Sequence, residues 1–329
     1  MNFSIDDTWE WYKSKQWICG FNYVTSSAVN STEMWQRETF DPQTIERELG
    51  WAENIGFNSC RVFMQYLVWE NDKDGMIKRL EKFLDIAGNR NISVMPIFFD
   101  DCAFSGKQPY LGKQDDPIPG VHNSGWTPSP GFDRVVDRSC WNQLEQYVTS
   151  IVSYFANDKR IILWDIYNEP GNSDMGDKSL PLTQEAFKWA KNSQPEQPIS
   201  VGIWHDGLKN INEVIIELSD IVTFHNYGDL TAVKSHIADL KSLGRPLICT
   251  EWMRRTGGSF FKTHLPIFKA ENVGCYCWGL VNGKIQTHFP WGSQPGAIEP
   301  KIWFHDVLKP NGEPYDAEEV KTIKEYTKV

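Results

Sequence analysis

The sequence predicts an α/β fold, a single (β/α)8 barrel over residues 1–329, and three observations predict it. Eight short apolar runs punctuate the chain, helical patterns fill the intervals between them, and no Gly-x-Gly-x-x-Gly follows the first run. Eight strands alternating with about eight helices close into a barrel, since right-handed crossovers make all the strands parallel. An open doubly wound sheet is the runner-up, but Gly20-Phe21-Asn22-Tyr23 stands where its phosphate-binding turn belongs.

The runs are Trp17 to Asn22, Ser59 to Phe63, Ile92 to Phe99, Ile161 to Tyr167, Ile199 to Ile203, Ile221 to His225, Leu247 to Glu251 and Gly274 to Trp278. Each has the length of a buried parallel strand and is rich in Ile, Val, Phe and Cys without strict alternation, as strands covered on both faces should be. Between the first two, a helix opens at Asp41-Pro42 and stops at Gly56. Before the third, Met76, Ile77, Leu80, Phe83, Leu84 and Ala87 recur at helical steps. Before the fourth, with Ser139 as candidate N-cap, Trp141, Leu144, Tyr147, Val148, Ile151, Val152 and Phe155 mark another apolar stripe. Leu208, Ile211, Val214, Ile215 and Leu218 do the same after the fifth, and a helix ending at Leu243 before Gly244 and Pro246 leads into the seventh. Long loops follow the third and eighth strands, Asp101 to Asp137 and Lys284 to Pro300, and both would rise over the C-terminal face, where this fold keeps its active sites.

Composition narrows the function. Thirty-three Lys and Arg against 43 Asp and Glu leave a net charge of −10, which disfavours nucleic acid and acidic membranes as partners. The start, Met1-Asn2-Phe3-Ser4-Ile5-Asp6-Asp7, lacks a basic segment followed by an apolar run, and no stretch approaches membrane-spanning length, so a cytoplasmic protein is expected. Seven cysteines, most inside apolar runs (Cys19, Cys60, Cys249, Cys275, Cys277), read as reduced buried thiols. Cys275 and Cys277 have no second pair at metal-finger spacing, so neither a metal nor another cofactor is expected. Of the 15 Trp, which stand beside 11 Tyr and 18 Phe, most are expected to pack the core and a minority to face a ligand, since such flat platforms suit the CH faces of sugar rings.

Reactive residue types gather where the runs end. The fourth closes in Asn168-Glu169-Pro170, the sixth in His225-Asn226-Tyr227, the seventh in Thr250-Glu251-Trp252 and the eighth in Trp278, while the second carries Arg61. Carboxylates at the mouths of strands four and seven face each other across a barrel, the equipment for cleaving a glycosidic bond.

In these five features, placed in order over nearly the whole chain, the sequence resembles the clan A glycoside hydrolases, and within them family 5, the cellulase and β-mannanase family. The resemblance implies that Glu169 is the acid/base, Glu251 the nucleophile, and Arg61, Asn168, His225, Tyr227 and Trp278 their supports. Glu251 must be ionised to attack, so Arg61 and Tyr227 should hold its pKa low, while the charge of Glu251 raises that of Glu169. Asn168 would hold a sugar 2-hydroxyl, Trp278 the ring, and His225 would orient Glu169. The carboxyls should lie about 5 to 5.5 Å apart, with retention of configuration. Where the family commonly has a His near the end of the third strand, this chain reads Phe98-Phe99-Asp100-Asp101; either the subsite there recognises a different sugar hydroxyl or Asp100 takes the contact. Trp204, His205, Asp206, His122, Trp126 and Trp291 are candidate subsite walls.

The expected activity is a retaining β-glycosidase on short β-1,4-linked oligosaccharides, the partner being the oligosaccharide. The texture Arg61-Val62-Phe63-Met64-Gln65-Tyr66-Leu67-Val68-Trp69-Glu70 looks like the β-mannosidases acting on small β-1,4-mannosides, including the mannosyl-N-acetylglucosamine unit. The alternatives are an endo-β-1,4-glucanase, mannanase or xylanase, and a catalytically silent sugar-binding barrel. A metal-dependent barrel hydrolase would want a His-x-His on the first strand, and none is there.

Overall fold

A computed structural model of the chain describes residues 3–328. Met1, Asn2 and Val329, which belong to the start read as lacking a signal and to the 1–329 unit, lie outside the described residues. The strands are β1 (Cys19–Tyr23), β2 (Ser59–Phe63), β3 (Ser93–Asp100), β4 (Trp164–Asn168), β5 (Ile199–Ser200), β6 (Gly202–Ile203), β7 (Val222–His225), β8 (Leu247–Trp252) and β9 (Gly274–Trp278). Every pairing is parallel, in the order β5-β4-β3-β2-β1-β9-β8-β7-β6.

Nine strands fill eight barrel positions because the fifth run is split. β5 pairs with β4 and β6 with β7, so the ring closes through consecutive pieces of one segment. Between them the Val201 N–H donates to Ser219 Oγ at 3.2 Å instead of to a neighbouring strand. The sixth, seventh and eighth runs are therefore β7, β8 and β9. Helices alternate with the strands, and the fold is the (β/α)8 barrel that the pattern predicts.

The helix Pro42–Ile55 is capped by Asp41, whose carboxylate accepts from the Thr44 N–H at 3.0 Å, and it ends at Gly56 with φ 100°, a backbone only glycine adopts without strain. Lys73–Gly88 buries Met76, Leu80, Phe83, Leu84 and Ala87, and Lys209–Leu218 buries Ile211 and Ile215. Trp141–Tyr154 buries the expected stripe, but Ser139 is not its N-cap. Asp137 accepts from the Ser139 N–H at 2.9 Å and starts a 3-10 turn, Arg138–Cys140, ahead of the helix. The helix placed at Leu243 stops at Lys241, and the chain tightens into a turn before Gly244.

An N-terminal helix, Ile5–Lys13, has no counterpart in the sequence reading. It sets Tyr12 into a buried cluster with Ile18, Met95, Ile162, Leu163, Ile221, Ile248 and Tyr276 near the strand starts, plugging the face opposite the site. Gly20 is required there, since a Cβ would lie 2.6 Å from the Tyr276 ring. Among the described residues no helix is long and apolar enough to cross a membrane.

The two long loops are bonded to each other over the C-terminal face. The Asn123 N–H donates to Ile285 O at 2.7 Å, the Gly296 N–H to Pro119 O at 2.8 Å, and the Gln286 side chain bridges Gly120 and Ile118. Chain without helix or strand continues past Pro300 to the last helix, Ala317–Thr327. Arg255 anchors this stretch, pairing with Glu319 and donating to the carbonyls of His305 and Asp306.

Candidate active site

A cavity of about 420 Å³ opens at the C-terminal ends of the strands. That is within the size range of small-molecule sites, roughly 300–1,000 Å³. Glu169 and Glu251 both line it, one just past β4 and the other within β8. Local backbone irregularities aim them. Glu169 has φ 45°, a left-handed conformation unusual for a non-glycine residue, which turns its side chain off the strand direction. The β7–β8 register shifts between Phe224 and His225, and the β8–β9 register between Cys249 and Trp252, so that His225 stands opposite Glu251. Bulges of this kind re-aim side chains at barrel rims.

One oxygen of each carboxyl and a ring nitrogen of His225 all lie within 4.8 Å of one another. His225 Nδ1 is 2.8 Å from Glu169 Oε1 and 3.6 Å from Glu251 Oε2. Glu251 is held from two sides: Arg61 Nη1 donates to Oε1 and the Tyr227 hydroxyl to Oε2, each at 2.7 Å. Glu169 Oε2 accepts from Asn172 Nδ2 and from the Cys102 thiol, Sγ to oxygen 3.2 Å. Arg61, 0% exposed, also donates to Asn168 Oδ1 at 2.7 Å, Asn22 Oδ1 at 2.9 Å and the Asp165 carboxylate at 2.8 Å.

Burial pushes both glutamates above the ordinary carboxyl range. For Glu251, His225, Arg61 and Tyr227 pull downward without overcoming it, which corrects the expectation of a nucleophile held low. For Glu169 burial is again the first cause, opposed by its thiol and amide donors. Two carboxyls this close resist double ionisation, and Glu251, with the guanidinium and the phenol, is the better seat for the first charge. Burial also pulls His225 down to about 4, so its ring is neutral near pH 7.

Asn168, His225, Tyr227, Trp278, Trp126, Trp204, His205, His122 and Trp291 line the same cavity. Arg61 touches it through Glu251 and Asn168 rather than directly, and Asp206 is not on its wall. Asp100 is not on the wall either. It is 3% exposed, and its carboxyl accepts from Asn168 Nδ2 at 2.8 Å, Trp126 Nε1 at 2.7 Å and the Cys102 N–H at 2.9 Å. The expected sugar contact at Asp100 is thereby corrected: its oxygens are already committed to positioning Asn168 and Trp126, and burial pushes it up to about 6. Asp101 is likewise buried, accepting from the Tyr167 hydroxyl and the Gly171 N–H.

Cys102, Asn172, His305, Asn22 and Asp165 belong to the site and were not singled out from the sequence. Asp165 and Asn22 had a signal, a polar side chain inside an apolar strand. Asn172 and Cys102 stand within a few residues of strand ends, whereas His305 follows a long irregular stretch and carries no periodic mark. Glu169, His225 and Glu251 also have the spacing to hold a cation, alone among the described residues. The Arg61 guanidinium, 2.7 Å from Glu251, opposes one.

The chain matches the family described as Cellulase (glycosyl hydrolase family 5) over residues 20–283. No curated protein matches it by sequence. Among solved structures it is similar to the endo-β-1,4-mannanase from Thermotoga petrophila, with TM-score 0.62 and 12% identity, covering 96% of this chain and 77% of that one. It is similar also to a family 5, subfamily 18 protein from Streptomyces cattleya in complex with Manβ1-4GlcNAc, with TM-score 0.60 and 12% identity over 94% and 79% of the two chains. A third is the exo-β-1,4-mannosidase from Opitutaceae bacterium strain TAV5, with TM-score 0.66 and 15% identity over 94% of this chain and 59% of that one. At these identities the likeness establishes a shared fold.

Proposed function

The chain belongs to glycosyl hydrolase family 5 and is a retaining glycoside hydrolase, and on that premise we propose that it acts from the chain end on short β-1,4-linked oligosaccharides, with a β-mannoside such as Man-β-1,4-GlcNAc or a manno-oligosaccharide as substrate. The observation that carries the double displacement is that an oxygen of Glu169 and an oxygen of Glu251 lie within 4.8 Å of each other. Such an approach supports the carboxyl separation of about 5–5.5 Å of retaining enzymes over the about 6.5–9.5 Å that leaves room for an inverting enzyme's water.

In the first step a Glu251 oxygen attacks the anomeric carbon. The glycosidic C–O bond breaks, and the Glu169 proton goes to the departing oxygen. The bond to Glu251 removes its negative charge, so the pKa of Glu169 falls and its carboxylate takes a proton from water. The water oxygen attacks the same carbon from the other face, and Glu251 leaves as a carboxylate, with configuration retained. Arg61 and Tyr227 fix Glu251, His225 and Asn172 fix Glu169, Asn168 takes the 2-hydroxyl, and Trp278 supports the ring.

Short substrates are supported by the bonded loops, which contribute His122, Asn123 and Trp291 to the cavity wall. A mannoside is supported by the mannosidase and the mannanase among the structural relatives. A cytoplasmic setting is supported by seven unpaired cysteines.

The test is a panel of aryl β-glycosides and short β-1,4-oligosaccharides with product analysis, run beside Glu251→Ala. Release of single terminal sugars from β-mannosides, lost in the variant, is expected. Internal cuts in soluble polymer would make the enzyme endo-acting, and binding without turnover would make it a silent barrel.

A further inference from the structure

Two histidines that the double displacement does not use, His122 and His305, stand on the wall of the same cavity. They come from the two segments that close it, His122 from the loop after β3 and His305 from the stretch after β9. Their rings are 5.7 Å apart, and that of His305 is 5.4 Å from Tyr227 and 6.4 Å from Trp278.

In both rings Nδ1 meets a backbone carbonyl, Phe289 O at 2.7 Å for His122 and Met253 O at 2.6 Å for His305. A carbonyl only accepts, so Nδ1 carries the hydrogen in each. Burial keeps both rings from gaining a second proton, pulling His122 down to about 4 and His305 well below the ordinary range. Each Nε2 is therefore a bare lone pair, with no partner among the described residues. Around them the wall is aromatic: Trp291, Phe104 and Tyr227 line the cavity beside them. The backbone N–H of His122 donates to Ser293 Oγ at 2.9 Å, which ties His122 to the bonded junction of the loops.

Two bare lone pairs on neighbouring rings favour a hydroxyl that gives its hydrogen over one that only takes one. We propose that His122 and His305 form an acceptor pair that receives the hydroxyl hydrogens of the non-reducing terminal sugar and so selects it. The inference rests on the reading of the protein as an exo-acting β-glycosidase. It adds the two side chains that recognise the chain end.

The experiment measures binding of methyl β-mannoside to the wild-type enzyme beside its 3-, 4- and 6-monodeoxy and monodeoxyfluoro analogues, since fluorine fills the space of a hydroxyl but cannot donate. At least one position should lose roughly three- to tenfold in affinity with both replacements, the worth of one uncharged hydrogen bond. In His122→Phe and His305→Phe, singly and together, the parent sugar should fall to the affinity of that analogue, and the analogue itself should bind as to wild type, which also reports an intact pocket. If the double variant is insoluble, the single variants and the wild-type analogue series decide. Equal affinity for all analogues, recovery by fluorine, or undiminished discrimination in the variants overturns the subsite. Failure of the wild type to turn over any β-glycoside overturns the exo-glycosidase reading itself, whereas turnover without such discrimination overturns only the subsite.

Discussion

Arg61 Nη1 lies 2.7 Å from Glu251 Oε1 while Nε and Nη2 of the same guanidinium reach Asp165 Oδ2 at 2.8 and 2.7 Å. One positive charge is shared by two buried carboxylates, so its removal leaves both uncompensated. Arg61→Met is expected to cost about 3–5 kcal/mol of stability, the range for breaking a buried pair from one side. Arg61→Lys keeps a charge but not the fork that also holds Asn168 and Asn22. It should recover much of that stability yet stay about 100-fold down in kcat/KM through misplacement of Glu251. Urea midpoints beside steady-state kinetics separate the two effects, and equal behaviour of Lys and Met would show that geometry is immaterial.

Glu169→Ala should lower kcat/KM on a β-1,4-disaccharide by about 10²–10⁴-fold, the usual worth of a positioned general acid. An aryl glycoside with a strongly acidic phenol needs no proton to depart. Its first step should therefore be nearly spared, giving a burst of phenol followed by slow turnover, because the same variant lacks the base for water. A loss independent of leaving group would assign Glu169 some role other than proton transfer.

The Cys102 thiol, which burial keeps protonated, donates to Glu169 Oε2 at 3.2 Å and so favours the ionised carboxyl. An acid catalyst loses activity as pH rises through its pKa. Removal of a donor that lowers that pKa raises it, and Cys102→Ala should shift the alkaline limb of the kcat/KM profile to higher pH. Cys102→Ser keeps a donor and should stay near the wild-type profile. An unshifted limb in the alanine variant would reduce Cys102 to packing.

Strand-mouth positions made Glu169 and Glu251 legible: once eight buried runs are recognised, a carboxylate at the end of one is conspicuous. The same rule applied to strand interiors would have exposed Asp165, since in the wholly buried β4 every side chain faces protein and a charge needs a partner. Asp100 misled because adjacency to the mouth does not say which way a side chain turns; the Asp100 carboxyl turns back to bond Trp126 and Asn168. His305 was out of reach for a different reason. Its place is set by Arg255 gripping the His305 and Asp306 carbonyls, a tertiary contact with no local period. At the split fifth strand side chains accept backbone hydrogens, Ser219 Oγ from the Val201 N–H and Asp220 Oδ2 from the Ile199 N–H, and no hydrophobic pattern encodes these bonds.

Gln286 is the keystone between the loops: Oε1 accepts from the Gly120 N–H at 3.0 Å, and Nε2 donates to Ile118 O at 2.8 Å and Val121 O at 3.3 Å. Gln286→Ala removes all three bonds from a partly exposed junction, where each contributes about 0.5–1.5 kcal/mol. The barrel is untouched, so global stability should change little, while hydrogen exchange at Gly120 and Asn123 should quicken. With the junction of the loops loosened, a tetrasaccharide should gain several-fold in kcat/KM relative to a disaccharide, because a sugar beyond the terminal position would then meet a yielding wall. Chain-length preference that stays constant while exchange quickens would mean that this junction does not set the length of substrate the pocket accepts.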